Sequence, residues 1–161
     1  SLKCRAKFGV FEKYGCNFDA SALWQSNSVT AVDAAEPDRV FTVNTTPAAT
    51  GPNGALPFAP GLVHWLTGLN VGARIEIETV VGKVISLRFP LGSNVTVGDT
   101  LEARPDCAKR WAEDCIALYN NHINFRGEPL IPIGDEATIS TPGAGLPRYQ
   151  GGQILPEPPP P

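Results

Sequence analysis

Four cysteines, set as two distant pairs, constrain this chain more than any other feature. Cys4 and Cys16 have eleven residues between them. Ninety residues further on come Cys107 and Cys115, with seven between. If the pairs meet in space, they hold one inorganic site, and the middle of the chain is a small β-domain that brings its own two ends together.

The middle has the patterning such a domain needs. Val29–Val32 and Arg39–Val43 alternate and are β-branched, with a turn at Ala34–Asp38. Gly61–Thr67 reads as a third strand. Ala73–Val81 sets Ile75 and Ile77 on one face and Arg74, Glu76 and Glu78 on the other, and Val84–Pro90 returns beyond Gly82-Lys83 as its hairpin partner. Val95, Val97 and the run to Ala103 complete six short strands about ten residues apart, a spacing that predicts a small closed barrel rather than an open sheet. Asn44–Pro60, with four prolines and two glycines, reads as a long loop.

The flanks are different. Residues 1–27 read as a compact cysteine-bearing loop with one helical turn, Asp19–Ser21 capping a short helix through Trp24. Residues 28–104 are the barrel. Residues 105–135 carry the second pair, with a helix over Trp111–Asn120. Residues 136–161 lose periodicity and end in Pro158–Pro161, an extended polyproline-like tail. The expected fold is mainly β: a small barrel with a short C-terminal helix and a proline-rich tail.

Composition excludes several classes. A net charge of −3 with no basic run argues against a nucleic-acid binder. No apolar run approaches the length of a membrane span. A charged fraction of 18% is low for a soluble monomer and suits a chain packed in an assembly. The chain has no methionine and starts at Ser1-Leu2-Lys3-Cys4, which fits a domain or fragment of a longer polypeptide.

Read from the residues alone, the cysteines have four explanations. Two disulfides need an oxidising compartment, and no secretion signal opens the chain. A zinc site favours knuckles of C-x2-4-C and sulfurs about 3.8 Å apart, and these spacings are wider. An iron–sulfur cluster is larger and tolerates wide spacing. Buried unliganded thiols are the default for one cysteine more than for four. The residue types leave zinc and iron–sulfur both open. Geometry adds one constraint: eight residues of continuous helix rise about 12 Å, too far for two ligands of one small group. Cys107 should therefore lie before the helix, with a bend between it and Cys115. His64, beside Trp65 on a strand, reads as a structural imidazole and His122 as a loop residue. Neither is placed to serve a Cys–His hydrolase, and no G-x-S-x-G or phosphate-cradling loop is present.

The residues around the second pair carry a resemblance. Cys107-Ala-Lys-Arg, Cys115, Tyr119-Asn120-Asn121 and Asn124-Phe125-Arg126-Gly127-Glu128-Pro129 resemble the closing signature of phage tail-tip proteins: the family of lambda minor tail protein L and the baseplate hub proteins of siphophages and gene transfer agents. Cys4 and Tyr14-Gly15-Cys16 resemble the family's upstream pair. Leu62, Trp65–Gly72 and Gly98-Asp99 resemble its β-domain, and the likeness spans about residues 2–135. It implies a [4Fe–4S] cluster on Cys4, Cys16, Cys107 and Cys115, with zinc as the alternative, and a hub-type domain preceding Ser1. It also implies a structural, non-enzymatic role in the virion, at a tail tip or baseplate made in the host cytoplasm. Distal tail, hub and fibre proteins would be the partners, within a ring of identical copies. The competing expectation is a soluble iron–sulfur or zinc protein that carries electrons.

Overall fold

A computed structural model describes residues 3–127 and the two short strands Tyr149–Gln150 and Gln153–Ile154. The chain forms two compact units, Ser1–Pro129 and Leu130–Pro161.

The first unit is built on six antiparallel strands: β1 (Gln25–Val32), β2 (Val40–Val43), β5 (Gly61–Trp65), β6 (Arg74–Val81), β7 (Val84–Leu87) and β8 (Thr100–Pro105). They close in the order β1-β2-β7-β6-β5-β8, with β1 pairing both β2 and β8. The expected closed barrel is therefore what forms. Register breaks between Val29 and Ala31 and between Ile77 and Thr79; such irregularities bend a strand and help so small a barrel close.

Alternation decides what lies inside. On β5, Gly61, Val63 and Trp65 point inward; on β8, Leu101, Ala103 and Pro105 do so. Trp65, Val43, Val63, Ile85, Leu87 and Leu101 are fully buried, each side chain worth about 1.5–3 kcal/mol against exposure. Phe41 meets Trp65 edge-on at 5.2 Å between ring centroids.

The loops at one end of the barrel are tied by polar groups. Asn70 donates through Nδ2 to the Ser93 carbonyl at 2.9 Å, and its Oδ1 accepts from the Ser93 amide at 3.1 Å. Gly68 sits at φ +84°, and a Cβ there would collide with the Asp99 carboxylate. Turn chemistry explains the acidic residues: Asp33 Oδ1 accepts from the amides of Ala35 and Glu36, and Asp99 Oδ2 from that of Thr96.

Two sequence expectations need correction. Asn44–Pro60 is not all loop: β3 (Ala49–Gly51) and β4 (Gly54–Leu56) form a hairpin inside it. Gly54 takes φ +125° in the turn, and Leu56 buries itself, so one anchored side chain outweighs the turn-rich composition. The helix over Trp111–Asn120 is not a regular α-helix. It opens as a π-helical turn, Trp111–Ile116, and hydrogen-bonded turns carry it to Asn120.

In the second unit, β9 (Tyr149–Gln150) pairs antiparallel with β10 (Gln153–Ile154). Within the expected extended tail, these strands form a hairpin instead; the rest of that tail, and Glu128–Asp135 before it, lies outside the described residues.

Candidate functional site

A second core lies where the chain enters and leaves the barrel. It gathers Cys4, Ala6, Phe8, Cys16, Ala20, Leu23, Leu56, Cys115, Tyr119 and Phe125, with Cys107 and Trp111 packed against it. The two cysteine pairs thus occupy one lobe, as the reading of them as two halves of one site expected. Asp19 Oδ1 accepts from the amide and hydroxyl of Ser21 and starts a single 3-10 turn, Ser21–Leu23, that feeds β1. An isolated bridge between Lys3 and Arg110, with the Cys4 amide donating to the Lys109 carbonyl at 2.9 Å, lays the first cysteine segment beside the second. Phe8, Phe18 and Tyr119 pack with centroids 4.9–5.6 Å apart. The Tyr119 hydroxyl donates to the Asp106 carbonyl at 2.9 Å.

Cys107 precedes the helix, and Lys109 at φ +67° makes the bend that the rise argument demanded. The π turn is anchored by Asp114, only 2% exposed. Its carboxylate accepts from the Arg110 amide at 2.8 Å, from Nε at 3.2 Å and from Nη2 at 2.9 Å. The Cys115 amide reaches back to the Arg110 carbonyl, and that of Ala117 to Ala112, five residues each way. A wider turn of this kind often marks a functional position.

All four cysteines are unbridged; Cys4, Cys16 and Cys115 are buried and Cys107 is half-buried. Three sulfurs accept N–H groups: Cys4 Sγ from the Arg126 amide at 3.2 Å, Cys107 Sγ from the Lys109 amide at 3.2 Å, and Cys16 Sγ from Asn121 Nδ2 at 3.3 Å. Asn121 Nδ2 also donates to the Cys16 carbonyl at 2.8 Å, and Asn124 Nδ2 donates to Asn121 Oδ1 at 2.8 Å. The Cys107 thiol is pushed well up, chiefly by its hydrogen bond to Cys115 and then by burial; the same bond pulls the Cys115 thiol down. Cys4 and Cys16 also act electrostatically on Cys115, raising its thiol. Burial raises Asp106, whose Oδ1 accepts from the Cys107 amide at 2.8 Å, and it raises the Tyr119 hydroxyl.

Four thiols in one lobe, three of them accepting N–H groups, are a donor set suited to a thiolate-bound metal group. Among the described residues, no three His, Cys, Asp or Glu side chains converge tightly enough to clasp a single ion. The histidines stand apart from the sulfurs' hydrogen bonds. His64 Nδ1 meets Glu102 Oε1 at 2.8 Å, and His122 lies edge-on to Trp111 at 6.0 Å. Sequence reasoning missed Asp114, Asn121 and Asp106 as supports of the lobe. Their signal was weak: each is a common polar residue, informative only once its neighbour is known.

Fold and site together define a small antiparallel barrel carrying a four-cysteine lobe at its chain ends. A family described as phage conserved hypothetical protein BR0599 matches residues 57–135, just under half of the chain and inclusive of Cys107 and Cys115. Among solved structures, a chain of the "Virion of native gene transfer agent (GTA) particle" superposes with a TM-score of 0.66 at 22% identity, over 96% of this chain. The present chain spans about half (51%) of that chain's length, and likeness at this identity establishes the shared fold. No curated protein matches. No helix among the described residues is long and apolar enough to cross a membrane.

Proposed function

We propose that this chain is a structural, non-enzymatic component of a phage or phage-like tail, part of the tail tip or baseplate hub in the virion. Cys4, Cys16, Cys107 and Cys115 hold a [4Fe–4S] cluster that staples the domain. The observation that carries the reading is the gathering of two cysteine pairs, ninety residues apart in sequence, into one buried lobe beneath a closed barrel. The match to a phage family and the fold shared with a gene transfer agent virion chain support the setting. The chain is made in the host cytoplasm and takes its place in a ring of identical copies among distal tail, hub and fibre proteins.

When bound, the cluster supplies cross-linking by thiolate bonds. The chain's own residues do the rest. Backbone amides of Arg126 and Lys109 and the side chain of Asn121 hold sulfurs in place by N–H donation, which favours the thiolate form. The Asp114–Arg110 pair fixes the turn that presents Cys115. Closing a ninety-residue loop restricts the unfolded chain, a gain that grows only slowly with loop length, and the binding free energy becomes folding free energy.

The test is anaerobic purification followed by visible absorption, iron and acid-labile sulfide assay, and tail assembly. Cys115→Ser should lose iron and assembly together. Normal tails built from iron-free protein would sink the staple, and stoichiometric zinc would replace the cluster.

A further inference from the structure

A cavity of about 670 Å³ lies between β5, β6 and the segment 106–109. Cys107 is the one cysteine on its wall. The other three are at most 9% exposed, so this cavity opens the lobe to solvent at a sulfur. Its rim is unevenly charged. Lys3, Lys7, Arg88, Arg104 and Lys109 face it against Glu76, Glu78 and Asp106. Glu76 is held by Arg88 at 2.9 Å, and Glu78 pairs with Arg39 outside the cavity. Asp106 turns its Oδ1 to the Cys107 amide. The floor is Phe8, over whose ring the Arg104 guanidinium lies at 5.6 Å. Arg104 Nε is buried and makes no hydrogen bond. The excess of positive charge therefore lies on the path to the sulfur.

We propose that this cavity is an entry port for small anionic thiols and chelators, with Cys107 as the first sulfur they meet. The proposal rests on the four cysteines being a metal-binding site. An anionic thiolate donor that delivers the inorganic group enters here and exchanges with Cys107. The exchange is redox-neutral: the Cys107 sulfur replaces the donor's sulfur, and the proton of its thiol leaves on the displaced donor. An anionic chelator or alkylating agent attacks by the same route. Positive walls raise the local concentration of anions and speed their arrival, an effect that salt weakens.

The experiment compares iodoacetate with iodoacetamide on the metal-free, reduced full chain, with the labelled cysteine read by mass spectrometry. Both reagents alkylate the same thiol, so the ratio of their rates reports the field and cancels the sulfur's own nucleophilicity. The ratio is followed at Cys107, the cysteine on the cavity wall. The iodoacetate to iodoacetamide ratio should fall several-fold in Lys7→Glu and in high salt, within the range of electrostatic steering. Circular dichroism of the variant checks that it folds. If the ratio at Cys107 is indifferent to charge reversal, the port is overturned. A second arm uses protein purified with its iron. There, release to bathophenanthroline disulfonate should slow in the variant while release to neutral bipyridine stays unchanged; equal slowing of both overturns the proposal. Protein that never carries iron defeats the cluster reading, and the alkylation ratio still decides whether the port exists.

Discussion

Asn121 is the most direct test of how the two cysteine segments are joined. Its Nδ2 donates to the carbonyl and sulfur of Cys16, 105 residues away, while its Oδ1 accepts from Asn124. Asn121→Ala removes these bonds and leaves the Cys16 carbonyl and the Asn124 amide without that partner. A neutral hydrogen bond is worth about 1 kcal/mol net, and stranding its partner costs about 1–3 kcal/mol if buried. The site is only partly buried, so a total near 2 kcal/mol is expected. For a chain of this size that lowers Tm by roughly 6 °C. Asn121→Asp keeps the shape and the acceptor but points a carboxylate at the Cys16 carbonyl, so at pH 7 it should be the less stable of the two. Its carboxyl is held up by that carbonyl. Stability lost to ionisation should return as the pH falls towards about 4, when the protonated group donates again. Urea unfolding of the metal-free protein at both pH values reads this out. If Asn121→Asp matches the unsubstituted protein at pH 7, or Asn121→Ala loses nothing, the bond does not join the segments.

Gly68→Ala should cost more than about 1 kcal/mol, because φ +84° is strained for alanine and its Cβ meets the Asp99 carboxylate; denaturant midpoints check it. Asp106 is raised by burial, so the fold favours its neutral form: that contribution is present below about pH 3.9 and is lost as pH rises through the folded value. Asp106→Asn should therefore raise Tm at pH 7 and change little at pH 3.5, provided Oδ1 still accepts from the Cys107 amide. Trp65 is fully buried and its Nε1 makes no hydrogen bond. Trp65→Phe should then cost only about 1–2 kcal/mol, the lost packing being offset by removal of a stranded donor, whereas Phe41→Ala should cost about 3–5 kcal/mol; calorimetry separates the two.

The barrel was legible because its strands write their two faces in alternation. Val63 and Trp65 on one strand and Leu101 and Ala103 on its partner needed only a period of two to be placed inside. The bend between Cys107 and Cys115 was legible too, since helix rise alone forbade a straight path. The β3–β4 hairpin was hidden: three-residue strands carry too little pattern, and Leu56 finds its burial only against the cysteine lobe. The π winding was hidden for another reason. It depends on Asp114 turning back onto Arg110, and an acid four residues after an arginine suits an ordinary α-helix equally well. The aromatic group of Phe8, Phe18 and Tyr119 joins residues a hundred positions apart, so no local window contains it. The proposed metal binding by the four cysteines rests on chemistry that neither spacing nor packing supplies alone.

Closure of the barrel has a consequence for assembly. Because β1 is bonded on both sides, by β2 and by β8, the six-stranded sheet offers no free backbone edge to a neighbour. Crowded copies cannot add strands to this six-stranded sheet. Contacts between barrel walls are then written by side chains and loops, where single substitutions can tune them.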